Sequence, residues 1–233
     1  MQPLYMTDSY LKEFAASVSK TEGAVVFLDK TAFYPQGGGQ PCDMGTMECN
    51  GRVLNVVNVT KKDGDIAHHL DGELKEGDKV HCKIDWNRRY RLMRMHTAAH
   101  IIDAILYRET GALCTGNQLG IDKSRIDFSL DSGMEKMKAY IDMANDAVEQ
   151  GIVVKIYSLQ RDEAMKIPGI VKLAAAAPPN VAELRIVEIP GVDIQADGGT
   201  QVANTKEIGK IEFLGTENKG KSNRRLYYTL SEL

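Results

Sequence analysis

Basic charge is not in surplus in this chain: 29 lysines and arginines stand against 32 aspartates and glutamates, a formal net charge of −3 over 233 residues. Proteins that coat nucleic acid by bulk electrostatics carry a strong positive excess, so that class is excluded, although a local basic patch is not. Long apolar runs are missing as well. Nothing approaches the roughly 20 residues that a bilayer-spanning helix needs, and the opening MQPLYMTDSYLKEF has neither a basic nor an apolar leader segment. Secretion and membrane insertion are not expected, and a cytosolic setting is. Cysteine is scarce: Cys42, Cys49, Cys82 and Cys114 show no C-x-x-C pairing and no regular spacing, which speaks for reduced structural thiols and against a disulfide framework. Neither a G-x-x-x-x-G-K-[ST] loop nor a G-x-G-x-x-G fingerprint occurs, so no nucleotide cofactor is expected.

What is present is an ordinary globular composition, 43% hydrophobic, enough for one large or two modest domains. Residues 1–87 read as short strands, GAVVFLDK, GTMECNGRVLNVVNVTKKDGDIAHHL and GDKVHCKID, punctuated by Gly, Asp and Asn at the intervals of a small β-barrel or sandwich. The texture then changes. From Asn87, a candidate N-cap, Leu92, Met95, Ala99, Ile102 and Leu106 recur at spacings of three and four, and Gly111 supplies a stop, which predicts an amphipathic helix. RIDFSL reads as a strand. GMEKMKAYIDMANDAVEQG reads as a helix with Met137, Ile141, Ala144 and Val148 on one face, closed by Gly151. IVVKIYSL and ELRIVEI read as strands with mixed helix and loop around PGIVKLAAAAPPN between them, and two strands joined by a polar turn end the chain. The expected fold class is α+β: a β-barrel-like domain, residues 1–87, then a domain of helices on a mainly antiparallel sheet, residues 88–233.

Within the first helix, HTAAH sets His96 and His100 four positions apart. Side chains at i and i+4 lie one above the other, so both imidazoles can reach one metal ion; two surface histidines give the same spacing by coincidence. Thr97 stands where H-E-x-x-H has its general-base glutamate, which removes that protease class. A catalytic zinc takes three protein ligands and keeps one open position. A third ligand must therefore come from elsewhere, and GVDIQADGGTQVANTKEIG, residues 191–209, offers Asp193, Asp197 and Gln201 around the Gly198-Gly199 turn. As pattern alone it is an acidic loop. The basic stretches NRRYRLMR (Arg88, Arg89, Arg91, Arg94) and NKGKSNRR (Lys219, Lys221, Arg224, Arg225) are compatible with solvated surface or with phosphate contacts. YPQGGGQP, with Gly37, Gly38 and Gly39, is either a β-turn or a point of close backbone approach.

In this order, MRMHTAAHII, RIDFSL and GGTQVANTKEIGKIEFL resemble the editing domain of alanyl-tRNA synthetase and its free-standing relatives, the alanyl-tRNA editing proteins. TAFYPQGGGQPCDMG, residues 31–45, resembles the glycine-rich segment before the editing core in the medium-length form of those relatives. The family pattern is H-x-x-x-H followed by C-x-x-x-H inside a C-G-G-T-H stretch; here Asp197 stands at the Cys position and Gln201 at the final His. The resemblance implies a trans-editing hydrolase that deacylates alanine tRNA mischarged with serine or glycine. It implies one zinc ion per chain on His96, His100 and Asp197, with Gln201 either a further ligand or the group that orients the water or the substrate amine. It also implies that Thr115 and Gln118, in CTGNQLG, contact the substrate hydroxyl, and that Gly37, Gly38, Gly39, Arg88, Arg89 and Arg225 meet the tRNA. No segment resembles an ATP-binding synthetase core, and the chain is expected to act as a monomer. The rival readings are a non-catalytic tRNA-binding module whose zinc site has decayed, and a metal-dependent hydrolase of a small ester or amide.

Overall fold

Alternation of apolar and polar side chains builds the first of the two compact units into which the chain divides, Met1–Leu92 and Met93–Leu233. The structure, a computed structural model, describes residues 1–170 and 181–232. The first unit holds β1 (Gln2–Pro3), β2 (Glu13–Glu22), β3 (Val25–Leu28), β4 (Lys30–Thr31), β5 (Gly45–Cys49), β6 (Arg52–Lys62), β7 (Asp65–Leu70) and β8 (Lys79–Ile84). Six of them close into a barrel in the order β2-β3-β7-β6-β5-β8, every pair antiparallel, while β1 and β4 form a short parallel pair beside it. Every second residue points inward: Phe14, Ala16 and Val18 on β2, Val80, Cys82 and Ile84 on β8. On β6 the buried set runs Leu54, Val56, then Val59, because a register shift between Val56 and Asn58 inserts one residue and changes the phase. The hairpins are dictated locally. Asn50-Gly51 (φ 51° and 77°) and Asp63-Gly64 (φ 53° and 81°) are two-residue turns with both φ positive, the type I′ form whose twist matches paired strands. The glycine-rich stretch is another: Gly38 and Gly39, at φ 58° and 84°, form the exposed tip between Gly37 and Gln40, which exchange backbone hydrogen bonds of 3.1 and 2.9 Å.

The long helix α1 (Trp86–Thr110) begins one residue ahead of the expected cap. Asp85, not Asn87, caps it: its Oδ1 accepts from the Arg88 N–H (3.1 Å), satisfying a first-turn donor. Gly111, at φ 70°, ends it by donating its N–H to the Tyr107 carbonyl (2.8 Å). The helix is not amphipathic over most of its length, for every residue from 92 to 106 is buried. Its polar residues are enclosed rather than solvated, and each requires a partner.

The second unit adds β9 (Cys114–Gln118), β10 (Ser124–Phe128), α2 (Met137–Glu149), β11 (Lys155–Gln160), β12 (Glu183–Ile189), β13 (Asp193–Ala196), β14 (Ile211–Asn218) and β15 (Arg224–Leu230). They form two antiparallel sheets, β14-β15-β10-β9 and β11-β12-β13. The face of α2 that carries Met137, Ile141, Ala144 and Val148 is buried as expected, and Gly151 follows it at φ 65°. Residues 171–180 of the stretch expected to mix helix and loop lie outside the described residues. The four cysteines are free and buried, and among the described residues no helix is long and apolar enough to cross a membrane.

One imidazole is sealed inside the barrel. His68, on β7, is fully buried with Nε2 2.9 Å from Thr31 Oγ1 and Nδ1 3.2 Å from the Val26 carbonyl. Burial pushes its pKa from 6.5 down to about 4. The unfolded chain therefore binds a proton that the fold refuses, so this contribution to stability is complete above pH 6.5 and is lost as the pH falls toward 4. We expect His68→Gln to remove about 3 kcal/mol of the acid-side decline. Urea unfolding followed by the single tryptophan, Trp86, which packs on Tyr10 and Tyr90 in the same unit, measures it at successive pH values. Identical acid limbs in the two proteins would refute it.

Candidate metal centre

Helix α1 presents His96, His100 and Asp103 at i, i+4 and i+7, one stripe of its surface. Both histidines are 5% exposed, with ring centroids 5.1 Å apart. Strand β13 and the loop after it lie opposite and bring up Asp193, Gln195, Asp197 and Gln201. His100 Nδ1 sits 2.8 Å from Asp193 Oδ2. That bond fixes the ring so that Nε2 faces the loop, the arrangement in which an outer carboxylate orients a metal-ligating imidazole. Asp197 Oδ1 is 3.6 Å from His96 Nε2, and Asp197 Oδ2 is 3.9 Å from His100 Nε2.

These separations are too long for hydrogen bonds. They are close to the spacing of ligands around one tetrahedral ion, about 3.4 Å for bonds of roughly 2.1 Å. One donor atom from each of His96, His100 and Asp197 lies within 4.8 Å of the others, so two imidazoles and a carboxylate fit a single divalent cation of the zinc type. Gln201 stands beside them, only 1% exposed. Its Oε1 accepts from Thr97 Oγ1 (2.8 Å), and its Nε2 donates to Asp197 Oδ2 (3.0 Å) and lies 3.3 Å from His100 Nε2. In this orientation Gln201 turns a nitrogen that cannot ligate toward the group.

The loop is held by Thr97, by Gly199 and by Arg185, the last of which carries no motif signal in the sequence. Thr97 Oγ1 also accepts from the Val202 N–H (3.1 Å), clamping the loop to the helix. Arg185, a charged residue inside the apolar strand ELRIVEI, donates from Nη1 to the Asp197 carbonyl (2.7 Å) and lies 3.8 Å from Asp197 Oδ2. The Gly199 N–H donates to the same carboxylate oxygen (2.8 Å). Burial alone would raise the Asp197 pKa, but the two histidine rings and Arg185 hold it well below the carboxylate range. Burial pushes His96 down to about 4, leaving a neutral ring with a lone pair. Burial works against a charged His100 too, yet the hydrogen bond to Asp193 and the negative charges of Asp193 and Asp197 raise it to about 10.

The other sequence candidates are dispersed. Thr115 and Gln118 are exposed on β9; Thr115 Oγ1 donates to Asn223 (3.2 Å) and Gln118 accepts from Arg125 (3.3 Å). Arg88 is half-buried, with Nε on the Cys42 carbonyl (3.0 Å). Arg89 is fully buried within the barrel unit, where it meets Asp43 and the Ser9 and Ala32 carbonyls. No phosphate can reach it there, and its role is to anchor the fold. Arg94 is likewise buried, on the Ile208 and Ser231 carbonyls. Arg225 is bidentate to Asp127 at 2.7 and 2.8 Å, with its side chain 16% exposed.

Two domain families match the chain: tRNA synthetases class II (A), over residues 6–88, and the threonyl and alanyl tRNA synthetase second additional domain, over residues 184–227. Alanyl-tRNA editing protein AlaX-M of Methanosarcina barkeri is 49% identical over 239 aligned residues, covering 98% of each chain. Its namesake in Saccharolobus solfataricus is 48% identical over 233, also 98% of each. Alanine–tRNA ligase of Thermoplasma acidophilum is 36% identical over 220, which is 92% of this chain and 25% of the ligase.

Loss of the Asp193 charge should loosen His100 without touching a ligand atom. Asp193→Asn is expected to weaken zinc affinity by about 10-fold or more at unchanged helix content, read by competition with a chelating dye and by circular dichroism. Wild-type affinity in the variant would refute the orienting role.

Proposed function

The chain belongs to the alanyl-tRNA editing proteins, and from that premise we propose that it hydrolyses, in trans, the ester joining serine or glycine to the 3′-terminal ribose of alanine tRNA, with zinc as cofactor. The observation that carries the reading is the group of His96, His100 and Asp197, two buried imidazoles and a half-buried carboxylate. Zinc held there would supply Lewis-acid polarisation of the ester, which is already an activated acyl compound. The remaining work falls to this chain's own side chains. Asp193 orients His100. Arg185 and the Gly199 N–H keep Asp197 ionised and in place. Gln201, anchored through Thr97, is placed to hold the attacking water or the substrate amine rather than to ligate.

In this reading residues 88–233 are the editing domain, and residues 1–87 contribute to tRNA binding. The exposed Gly37–Gly39 turn meets the acceptor end, and Arg88 and Arg225 supply phosphate contacts. Cation loss from exposed phosphate sites should appear as salt-sensitive binding, so the protein needs no overall positive charge.

The decisive measurement is release of labelled serine from serine-charged alanine tRNA, with and without a chelator. Release that the chelator abolishes and zinc restores supports the proposal. No release under either condition favours a binding module, and equal release from a tRNA-free seryl ester favours a small-ester hydrolase.

Gln201 supplies a sharper test. If three ligands complete the site, Gln201→His adds a fourth and closes the open position. Zinc affinity should then rise while deacylation falls, and Asp197→Ala should lose both. A faster Gln201→His enzyme, or an Asp197→Ala protein that retains zinc, would overturn the assignment of carboxylate as ligand and amide as helper.

A further inference from the structure

Threonine is a poor choice for the interior of a helix, yet Thr97 stands fully buried in α1 directly after His96, where Ala98 and Ala99 follow. Its hydroxyl is in demand from three sides. It accepts from the Val202 N–H at 3.1 Å, and two acceptors lie within reach of its hydrogen: Gln201 Oε1 at 2.8 Å and the Met93 carbonyl, one turn back along the helix, at 3.1 Å. A hydroxyl has one proton to give. The bond to Met93 is the ordinary habit of a helical threonine; the bond to Gln201 is the shorter and joins residues 104 positions apart.

Which acceptor takes that proton decides which end of the Gln201 amide faces the metal group. With Oε1 held by Thr97, Nε2 points inward, 3.0 Å from Asp197 Oδ2 and 3.3 Å from His100 Nε2. Those separations are shorter than the 3.6 and 3.9 Å between the carboxylate and the two imidazoles, so the inner atom of the amide sits among the ligand atoms. A half-turn of the amide exchanges nitrogen for oxygen at nearly the same place. Nε2 would then donate to Thr97, the hydroxyl proton would turn to Met93, and the Val202 N–H would keep its acceptor, so these partners are still served. The two arrangements differ at the centre: nitrogen there is a donor that cannot ligate, oxygen there is a ligand. A cation draws the oxygen inward; the 2.8 Å bond from Thr97 holds it out.

We propose that Thr97 is a positioning residue that keeps the centre open: by giving its proton to Gln201 Oε1 it denies the metal a fourth protein ligand. The inference rests on the hydrolase reading, which needs one position free for water or ester. It also gives Gln201 a fixed polarity, an N–H rather than a carbonyl turned toward an entering oxygen.

Thr97→Val keeps the shape and removes the proton; Thr97→Ala removes it in a better helix former; Thr97→Ser retains it. The full chain loaded with cobalt(II) is the sample and azide the probe, since azide takes an open coordination position and shifts the visible absorption of cobalt. We expect the wild-type protein to bind azide, Thr97→Val and Thr97→Ala to bind it about 3–10-fold more weakly as the amide oxygen competes for the position, and Thr97→Ser to restore it. In the Gln201→Leu background, Thr97→Val should leave azide affinity unchanged, a coupling that a threonine serving only to hold the loop through Val202 would not produce. Turnover of serine-charged alanine tRNA should fall in Thr97→Val by a similar factor at unchanged KM. No azide binding by the wild-type protein, undiminished binding in Thr97→Val and Thr97→Ala, an equal loss in the Gln201→Leu background, or loss of cobalt itself from both variants would each overturn the role of Thr97. A Gln201-dependent change in azide affinity without any release of serine would uphold Thr97 and overturn the hydrolase reading alone.

Discussion

A polar group taken out of water must be answered by a fixed partner, and α1 buries one on almost every turn. Arg89 is answered by Asp43 and two carbonyls, Arg94 by Ile208 and Ser231, and Thr97 by Val202 and Gln201. His100 is answered by Asp193, and Asp103 accepts from Gln195 (3.0 Å). Each bond reaches far along the chain, and four of these partners, Asp193, Gln195, Gln201 and Val202, come from β13 and its loop. The helix therefore specifies the loop's position residue by residue. A run of leucines would bury as much surface without fixing which loop residue faces which turn, whereas directional bonds do.

The same constraint explains what could be read from the amino-acid sequence. The hairpins were legible because Asn-Gly and Asp-Gly are local signals, and α2 because its apolar stripe is clean. The histidine pair and the Asp197–Gln201 spacing were legible as motif. The burial of α1 on all sides was not, since its polar residues imitate a solvated face when their partners lie elsewhere in the chain. Arg89 is the clearest case: beside Arg88 and Arg91 it looks like part of a basic patch, and only Asp43, 46 positions away, makes it structural. Asp85 capped the helix where Asn87 was expected because both are competent caps. β9 was hidden because Thr115, Gly116, Asn117 and Gln118 include weak strand formers; pairing with β10, not propensity, makes the strand.

Carboxylate for thiolate at the third position changes the electrostatics of the group. A divalent cation held by His96, His100 and Asp197 would keep a net positive charge, and Arg185 draws further on the same carboxylate. A ligand that is itself hydrogen-bonded by Gly199 and Gln201 donates less to a metal. In the proposed site the ion would be more electrophilic and more weakly held, and Asp193, bonded to His100 at 2.8 Å, would compensate by fixing that ring.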